Sequence, residues 1–237
     1  MQRILLVAAS VCAARRGYRP HRRDAETTSG LFADGRQPRY HVRPARGWLN
    51  DPNGPLQHAG VYHVFFQKND VEGQPRWGNI VWGHATSTDL ARWKLEPSIL
   101  TRPPAYEAGG AWSGSITKVH GRLTAIYTCT NGRFENAQCV AFPDDASLKT
   151  WSRSPSNPVI AAPPAGVTAG LFRDPTEALD FGTAQYVFLG ASQRKRGVVL
   201  AYRADSAESY ALAPTPLWST PLLHGCRSWR DGDQCAR

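Results

Sequence analysis

The sequence predicts an all-β fold, and three observations carry that expectation. First, β-branched and aromatic residues collect in short runs such as Val61-Tyr62-His63-Val64-Phe65-Phe66-Gln67, bounded by Gly, Pro and Asn. Second, no long segment carries an apolar period of 3.6 residues, so no sizeable amphipathic helix is expected. Third, Asp89-Leu90-Ala91-Arg92-Trp93 returns loosely as Ala146-Ser147-Leu148-Lys149-Thr150-Trp151, about 58 residues later. Short strands with such turns indicate a sandwich, a barrel or a propeller. The faint repeat favours a propeller with one four-stranded blade per unit, although its period exceeds the usual roughly 40–50 residues. On that reading the ordered part holds about three blades, whereas a closed ring needs roughly 4–8.

Taken in order, the chain opens with a short positive start at Arg3 and an apolar run from Ile4 to Ala14. The run is too short to span a bilayer and ends in small residues, so residues 1–14 read as a signal peptide and the protein as secreted. Its removal would take Cys12 and leave an even number of cysteines in an oxidising setting. Cys129 and Cys139 flank one short polar stretch and Cys226 and Cys235 another; either pair can bridge, and neither has zinc-site spacing. Residues 15–38 are basic and aperiodic, a flexible leader, and order is expected from near Tyr40. The region 39–237 follows as one β-rich domain.

Strand candidates then run along the chain: Val61–Gln67, Asn79–Ala85, Ser115–Val119, Leu123–Thr128, Gln138–Phe142, Gln185–Ala191 and Val198–Arg203. Ser192 to Gly197 is read as the loop between the last two. The net charge of +9 admits nucleic acid, anionic membrane or acidic glycans as partners. Its dense run, Arg15 to Arg23, lies near the N-terminus, and no nucleic-acid-binding module is recognisable, so neither nucleic acid nor membrane is expected as a partner. Eight Trp against one Met suit a protein that packs indole faces on sugars.

Three clusters carry the chemistry. Asp51-Pro52-Asn53-Gly54 reads as a tight turn, because proline presets φ and Asn-Gly accepts positive φ. It would hold the Asp51 carboxylate at a strand end, beside Trp48 and Asn50. Trp112-Ser113-Gly114-Ser115 reads as a small-residue turn opening a strand, and Phe172-Arg173-Asp174-Pro175 again sets an aspartate before a proline. Any of these alone is more often a surface turn than a site. Together they repeat one theme, carboxylates on rigid corners with Trp and amide groups nearby.

The ordered set resembles family 32 of the glycoside hydrolases, which holds invertases, inulinases, levanases, fructan exohydrolases and fructosyltransferases. The residues that carry the resemblance are Gly47-Trp48-Leu49-Asn50-Asp51-Pro52-Asn53-Gly54, Phe66-Gln67, Trp77-Gly78-Asn79, Trp82-Gly83-His84-Ala85, Ser87-Thr88-Asp89-Leu90, Trp112-Ser113-Gly114-Ser115 and Phe172-Arg173-Asp174-Pro175. The resemblance implies a five-bladed β-propeller, here incomplete, with the family's C-terminal β-sandwich absent from this sequence. It implies that Asp51 is the nucleophile of a covalent fructosyl intermediate and Asp174 the transition-state stabiliser. Asn50, Gln67, Trp77, Trp112, Ser113 and Arg173 would bind the terminal fructosyl unit of sucrose or a fructan. No cofactor or metal is required by that chemistry.

A retaining glycosidase also needs a general acid about 5–5.5 Å from its nucleophile. The resemblance implies a glutamate followed by cysteine, after the Arg-Asp-Pro cluster. Only Glu177 and Glu208 follow Asp174; the first is too close to that cluster, and the second reads as part of a surface turn. The expectation is therefore a truncated glycosidase sequence. The alternative is a sugar-binding remnant that lacks the acid. A sister family of inverting furanosidases on the same fold lacks the Trp-Leu-Asn-Asp-Pro-Asn-Gly stretch and fits less well.

Overall fold

The computed structural model describes residues 42, 47–71 and 73–221. The expected signal peptide, the basic leader, the onset of order near Tyr40 and the Cys226–Cys235 pair lie outside these residues. The described part is built almost wholly of strands, in three antiparallel sheets. The first sheet holds β1 (Leu49–His58), β2 (Val61–Asn69), β3 (Ile80–Ser87) and β4 (Lys94–Ile99) in sequential order. The second holds β5 (Gly110–Val119), β6 (Arg122–Thr130), β7 (Asn136–Pro143) and β8 (Trp151–Arg153). The third holds β9 (Leu179–Asp180), β10 (Gln185–Gln193), β11 (Arg196–Ser206) and β12 (Ser209–Leu212), with β13 (Trp218–Ser219) also on β11. Successive four-stranded meanders of this kind are propeller blades.

The loose repeat is a blade repeat in fact. Leu90 and Leu148 lie at the same place, between the third and fourth strands of successive sheets, and both take positive φ, 61° and 55°. In each loop the following tryptophan returns its indole N–H to that leucine's carbonyl: Trp93 to Leu90 at 3.1 Å and Trp151 to Leu148 at 2.9 Å. The same loop geometry thus recurs in successive sheets, 58 residues apart.

The second sheet alternates its burial as a strand pair packed on both faces must. Tyr127, Cys129 and Cys139 join Phe65, Trp82 and Trp151 in the core shared with the first sheet. Ile126 and Val140 point the other way and meet Val187 of the third. Cys129 and Cys139 form a disulfide across β6 and β7, one of the two pairings left open by the sequence.

Two expected turns are strands. Asp51-Pro52-Asn53-Gly54 lies inside β1, with register shifts on both sides, between Leu49 and Pro52 and between Asn53 and Leu56. β1 is an edge strand of its sheet, so the missing N–H of Pro52 costs no ladder bond there. The turn chemistry of Asn-Gly is absorbed as a bulge, with Gly54 at φ 47°. A Cβ at Gly54 would stand 2.5 Å from Ile116 Cγ1, so glycine also lets β1 close on β5. Likewise Trp112-Ser113-Gly114-Ser115 lies within β5, with a register shift between Ala111 and Gly114.

The loop expected over Ser192 to Gly197 is tighter. Gln193 pairs directly with Arg196, which leaves only Arg194 and Lys195, at φ 48° and 64°. Positive φ at both positions matches the twist of a two-residue hairpin even without glycine. β4 was missed because Lys94-Leu95-Glu96-Pro97-Ser98-Ile99 carries a proline and little apolar alternation. It is an edge strand, and Pro97 falls where the register shifts.

His63 on β2 and His84 on β3 are buried and stacked, with Nδ1 of the first 3.0 Å from Nε2 of the second. His84 Nδ1 has no partner. An unpartnered lone pair costs less than an unpartnered N–H, so His84 carries its proton on Nε2 and donates to His63. Burial first, and then the neighbouring His63, lowers the His84 pKa to about 4. Burial and His58 lower that of His63 in turn. An unfolded histidine takes up a proton below about 6.5, while folded His84 does not until about 4, so stability rises with pH across that window. Replacing His84 with Gln should therefore flatten the stability slope between those pH values, by an amount on the order of 3 kcal/mol over the window. Urea unfolding of wild type and variant near both limits checks this; parallel slopes would refute it.

Candidate active site

Three successive sheets each contribute their first strand, or the segment in its place, to one constellation. β1 supplies Asn50 and Asp51, and β5 supplies Trp112 and Ser113. In the third sheet, residues 173–178 occupy the first-strand position ahead of the short β9. Arg173 exchanges both backbone hydrogen bonds with Gly190, at 3.0 and 3.1 Å, and Thr176 N–H reaches Phe188 O at 3.0 Å.

Asp51 is exposed, and its carboxylate is oriented from the neighbouring sheet. Ser113 Oγ donates to Asp51 Oδ2 at 2.7 Å, and the buried Gln67 on β2 donates its Nε2 to the same Ser113 Oγ at 2.5 Å. The hydroxyl thus has its proton directed at the carboxylate because its lone pair is taken by an amide that can only donate there. Asn50 accepts the backbone N–H of Asp51 on its own side-chain oxygen. Below this group, Gly114 N–H reaches the buried Asn53 Oδ1 at 3.3 Å, a second tie between β1 and β5. A Cβ at Gly114 would fall 2.1 Å from Ile126 O, so the close approach of β5 to β6 beside Ser113 requires glycine.

Aromatic rings form the rim. Trp77 and Trp112 meet edge to face with centroids 5.5 Å apart. Phe134, on the turn between β6 and β7, lies 6.1 and 6.2 Å from the two. Trp77 and Phe134 are each about half exposed, 47% and 49%. The Trp112 backbone carbonyl is held by the indole N–H of the buried Trp82 at 3.0 Å.

Asp174 sits at φ 62° between the buried Phe172 and Pro175, with its carboxylate exposed. Arg173 Nε stands 3.5 Å from Asp174 Oδ2. Ser115, two residues beyond Ser113 on β5, donates to the Pro175 carbonyl at 3.0 Å. One strand therefore carries both the residue that orients Asp51 and the residue that anchors the Asp174 segment.

Of the residues expected from the sequence, Asn50, Asp51, Gln67 and Ser113 are joined by hydrogen bonds, Trp77 meets Trp112, and Arg173 meets Asp174. Glu208 lies apart, on the turn between β11 and β12, bonded to Ser154 and to Arg122. Sequence reasoning missed Phe134, whose loop Asn131-Gly132-Arg133-Phe134 reads only as a polar turn. It also missed Thr128 and Gln138, which alternate with the cysteines on β6 and β7 and look like ordinary strand residues. A cavity of about 250 Å³ lined by His120, Arg122, Asp205 and Glu208 contains none of the site residues. Among the described residues there is no group of three or more metal-ligating side chains, and no helix is long and apolar enough to cross a membrane.

Residues 41–223 match the model of the glycosyl hydrolases family 32 N-terminal domain. The chain is 40% identical over 192 residues to β-fructofuranosidase 1 of Zea mays, a match covering 77% of this chain and 28% of that protein. It is 36% identical over 190 residues to the fructan 6-exohydrolase of Beta vulgaris, covering 76% and 31%. Among solved structures, fructan 1-exohydrolase IIa from Cichorium intybus superposes with a TM-score of 0.71 at 32% identity, covering 79% of this chain and 36% of that one. A β-fructofuranosidase from Bombyx mori gives 0.63 at 32% identity, covering 78% and 38%. The chain thus spans about a third of the length of the proteins it matches.

Proposed function

The chain belongs to glycosyl hydrolase family 32, and from that premise we propose that it forms the fructosyl-binding part of a retaining glycosidase acting on sucrose or a fructan. Asp51 is the nucleophile in this reading. Its carboxylate attacks the anomeric carbon of the terminal fructosyl unit as the glycosidic bond breaks, the leaving sugar departs with a proton from the general acid, and water then hydrolyses the covalent ester to release fructose and restore the Asp51 carboxylate. Asp174 lies against the sugar hydroxyls and stabilises the oxocarbenium-like transition state as positive charge develops in the ring. Arg173 steadies that carboxylate. Asn50, Gln67 and Ser113 fix the geometry of Asp51, and Trp77 and Trp112 shape the rim.

The observation that carries the reading is the hydrogen bond from Ser113 to Asp51 across two sheets. It leaves Oδ1 as the oxygen free to attack, and preorientation of this sort is a large share of what a covalent mechanism needs from its protein. The general acid is proposed to lie outside the described residues, since Glu208 is engaged elsewhere and Glu177 projects from the exposed surface. In the same proposal residues 1–14 are a signal peptide, 15–38 a leader, and the enzyme is secreted. Relatives in the comparison include insoluble and vacuolar β-fructofuranosidases, which suit an extracellular or vacuolar setting.

The test is to acid-quench the full-length protein during sucrose or inulin turnover and map peptides by mass spectrometry. A fructosyl ester on the peptide containing Asp51 is expected. Turnover with an adduct on another carboxylate sinks the assignment. Sugar binding with no turnover and no adduct favours the second reading, a sugar-binding remnant, for which the general acid's absence among the described residues speaks.

A further inference from the structure

We infer that Thr128 and Gln138 are positioning residues for the reaction, a buried clamp that sets the backbone of Asp174; the inference rests on the reading of Asp174 given above. The two residues face each other directly across β6 and β7, and both are fully buried. Thr128 Oγ1 accepts the backbone N–H of Asp174 at 2.9 Å and lies 3.1 Å from Gln138 Oε1. Gln138 Nε2 donates to the carbonyl of Phe172 at 3.2 Å. The clamp therefore grips the chain on both sides of Arg173.

The polarity of these bonds is determined. The Phe172 carbonyl can only accept, so the amide nitrogen of Gln138 must face it. The amide oxygen then faces Thr128, whose single hydroxyl proton must go there. What remains on Thr128 is a lone pair, and the Asp174 N–H fills it. The Thr128 hydroxyl and both ends of the Gln138 amide are all engaged, which is the condition under which such a network rigidifies rather than weakens a fold.

The clamp answers a specific need. Asp174 holds φ 62°, a left-handed conformation that an L residue other than glycine adopts at a cost, and the surrounding structure must impose it. Its side chain is exposed and meets Arg173 at 3.5 Å, and the direction in which it leaves the chain is set by a backbone held through the Thr128 bond on one side and the Ser115–Pro175 bond on the other. On the reverse face of the same strand pair, the Cys129–Cys139 disulfide spans the Thr128–Gln138 pair and holds β6 and β7 in register.

The experiment compares full-length wild type, Thr128→Val, Thr128→Ser and Asp174→Asn. Steady-state kinetics on sucrose and inulin, thermal midpoints and amide hydrogen exchange at Asp174 are the readouts. Thr128→Val keeps the shape of the side chain and deletes the lone pair. It should lower kcat by about 10²-fold, the scale of a small misplacement of a catalytic group, with KM little changed. Thr128→Ser should restore turnover. The Asp174 amide should be protected in wild type and Thr128→Ser and lose protection in Thr128→Val. Wild-type turnover in Thr128→Val, failure of Thr128→Ser to rescue, or an unprotected Asp174 amide in the wild type each overturns the clamp. The last measurement decides even if Thr128→Val does not fold. If Asp174→Asn turns over like wild type, or the wild type turns over neither sugar, the functional reading itself fails.

Discussion

Asp51→Asn in the full-length protein should reduce turnover of sucrose or fructan on the order of 10⁴-fold while leaving the fold and KM nearly unchanged. The substitution is isosteric, and the Ser113 hydroxyl can still donate to the retained oxygen, so the pocket keeps its shape. In the proposed mechanism what is lost is the electron pair that attacks the anomeric carbon, because an amide oxygen is a poor nucleophile. The loss corresponds to about 5–6 kcal/mol of transition-state stabilisation. Ser113→Ala should cost far less, since it frees the carboxylate to rotate without removing it. Steady-state kinetics and thermal midpoints of the two variants check the ranking. Substantial turnover in Asp51→Asn would move the nucleophile elsewhere.

Arg153→Met should be the most destabilising single change, by roughly 3–5 kcal/mol, because it strands a buried carboxylate. Glu107 is fully buried on the linker between the first two sheets. It accepts Arg153 Nη2 at 2.6 Å, Arg153 Nε at 3.1 Å and the Tyr127 hydroxyl at 2.8 Å. Burial, then the Glu107 charge, pushes the Tyr127 phenol well up, so it stays a donor. Arg153 also donates to the carbonyls of Leu100 and Thr101, at 2.7 and 3.0 Å. Leu100 and Arg102 take positive φ, 55° and 53°, with Thr101 between them, where the chain passes from the first sheet to the second. The double variant Glu107→Met with Arg153→Met should recover part of the loss, since no charge is then left unpaired. The recovery should be incomplete, because the two linker carbonyls stay without their donor. Urea denaturation of the two single variants and the double variant measures the cycle. A double variant as unstable as the sum of the singles would show that the pair is not coupled.

How much of this was legible beforehand differs by element. The hairpins β5–β6 and β10–β11 show in the sequence because alternating apolar residues on strands buried on both faces are dense there. β4, β9 and β13 do not, because an edge strand needs little apolar content and a two-residue strand carries no period at all. Asp-Pro-Asn-Gly misled for a definite reason. Its residues favour a turn locally, but β1 pairs with β2 along its length, and two extra residues are taken up at the two register shifts. Its aspartate nevertheless projects to Ser113 of the next sheet, because both a turn and a bulge aim a side chain out of the ladder.

The sequence by itself determined the all-β class, the 58-residue repeat and the family, and it singled out the Asp51 and Asp174 motifs as candidates, since each of these resides in local composition or in motifs of a few residues. Only the tertiary structure decided who meets whom. Ser113 reaches Asp51 over a sequence separation of 62, Thr128 reaches Asp174 over 46, and Arg153 reaches Glu107 over 46. Those contacts depend on strand register and on how one sheet packs against the next, and a shift of one residue would turn each of these side chains to the opposite face.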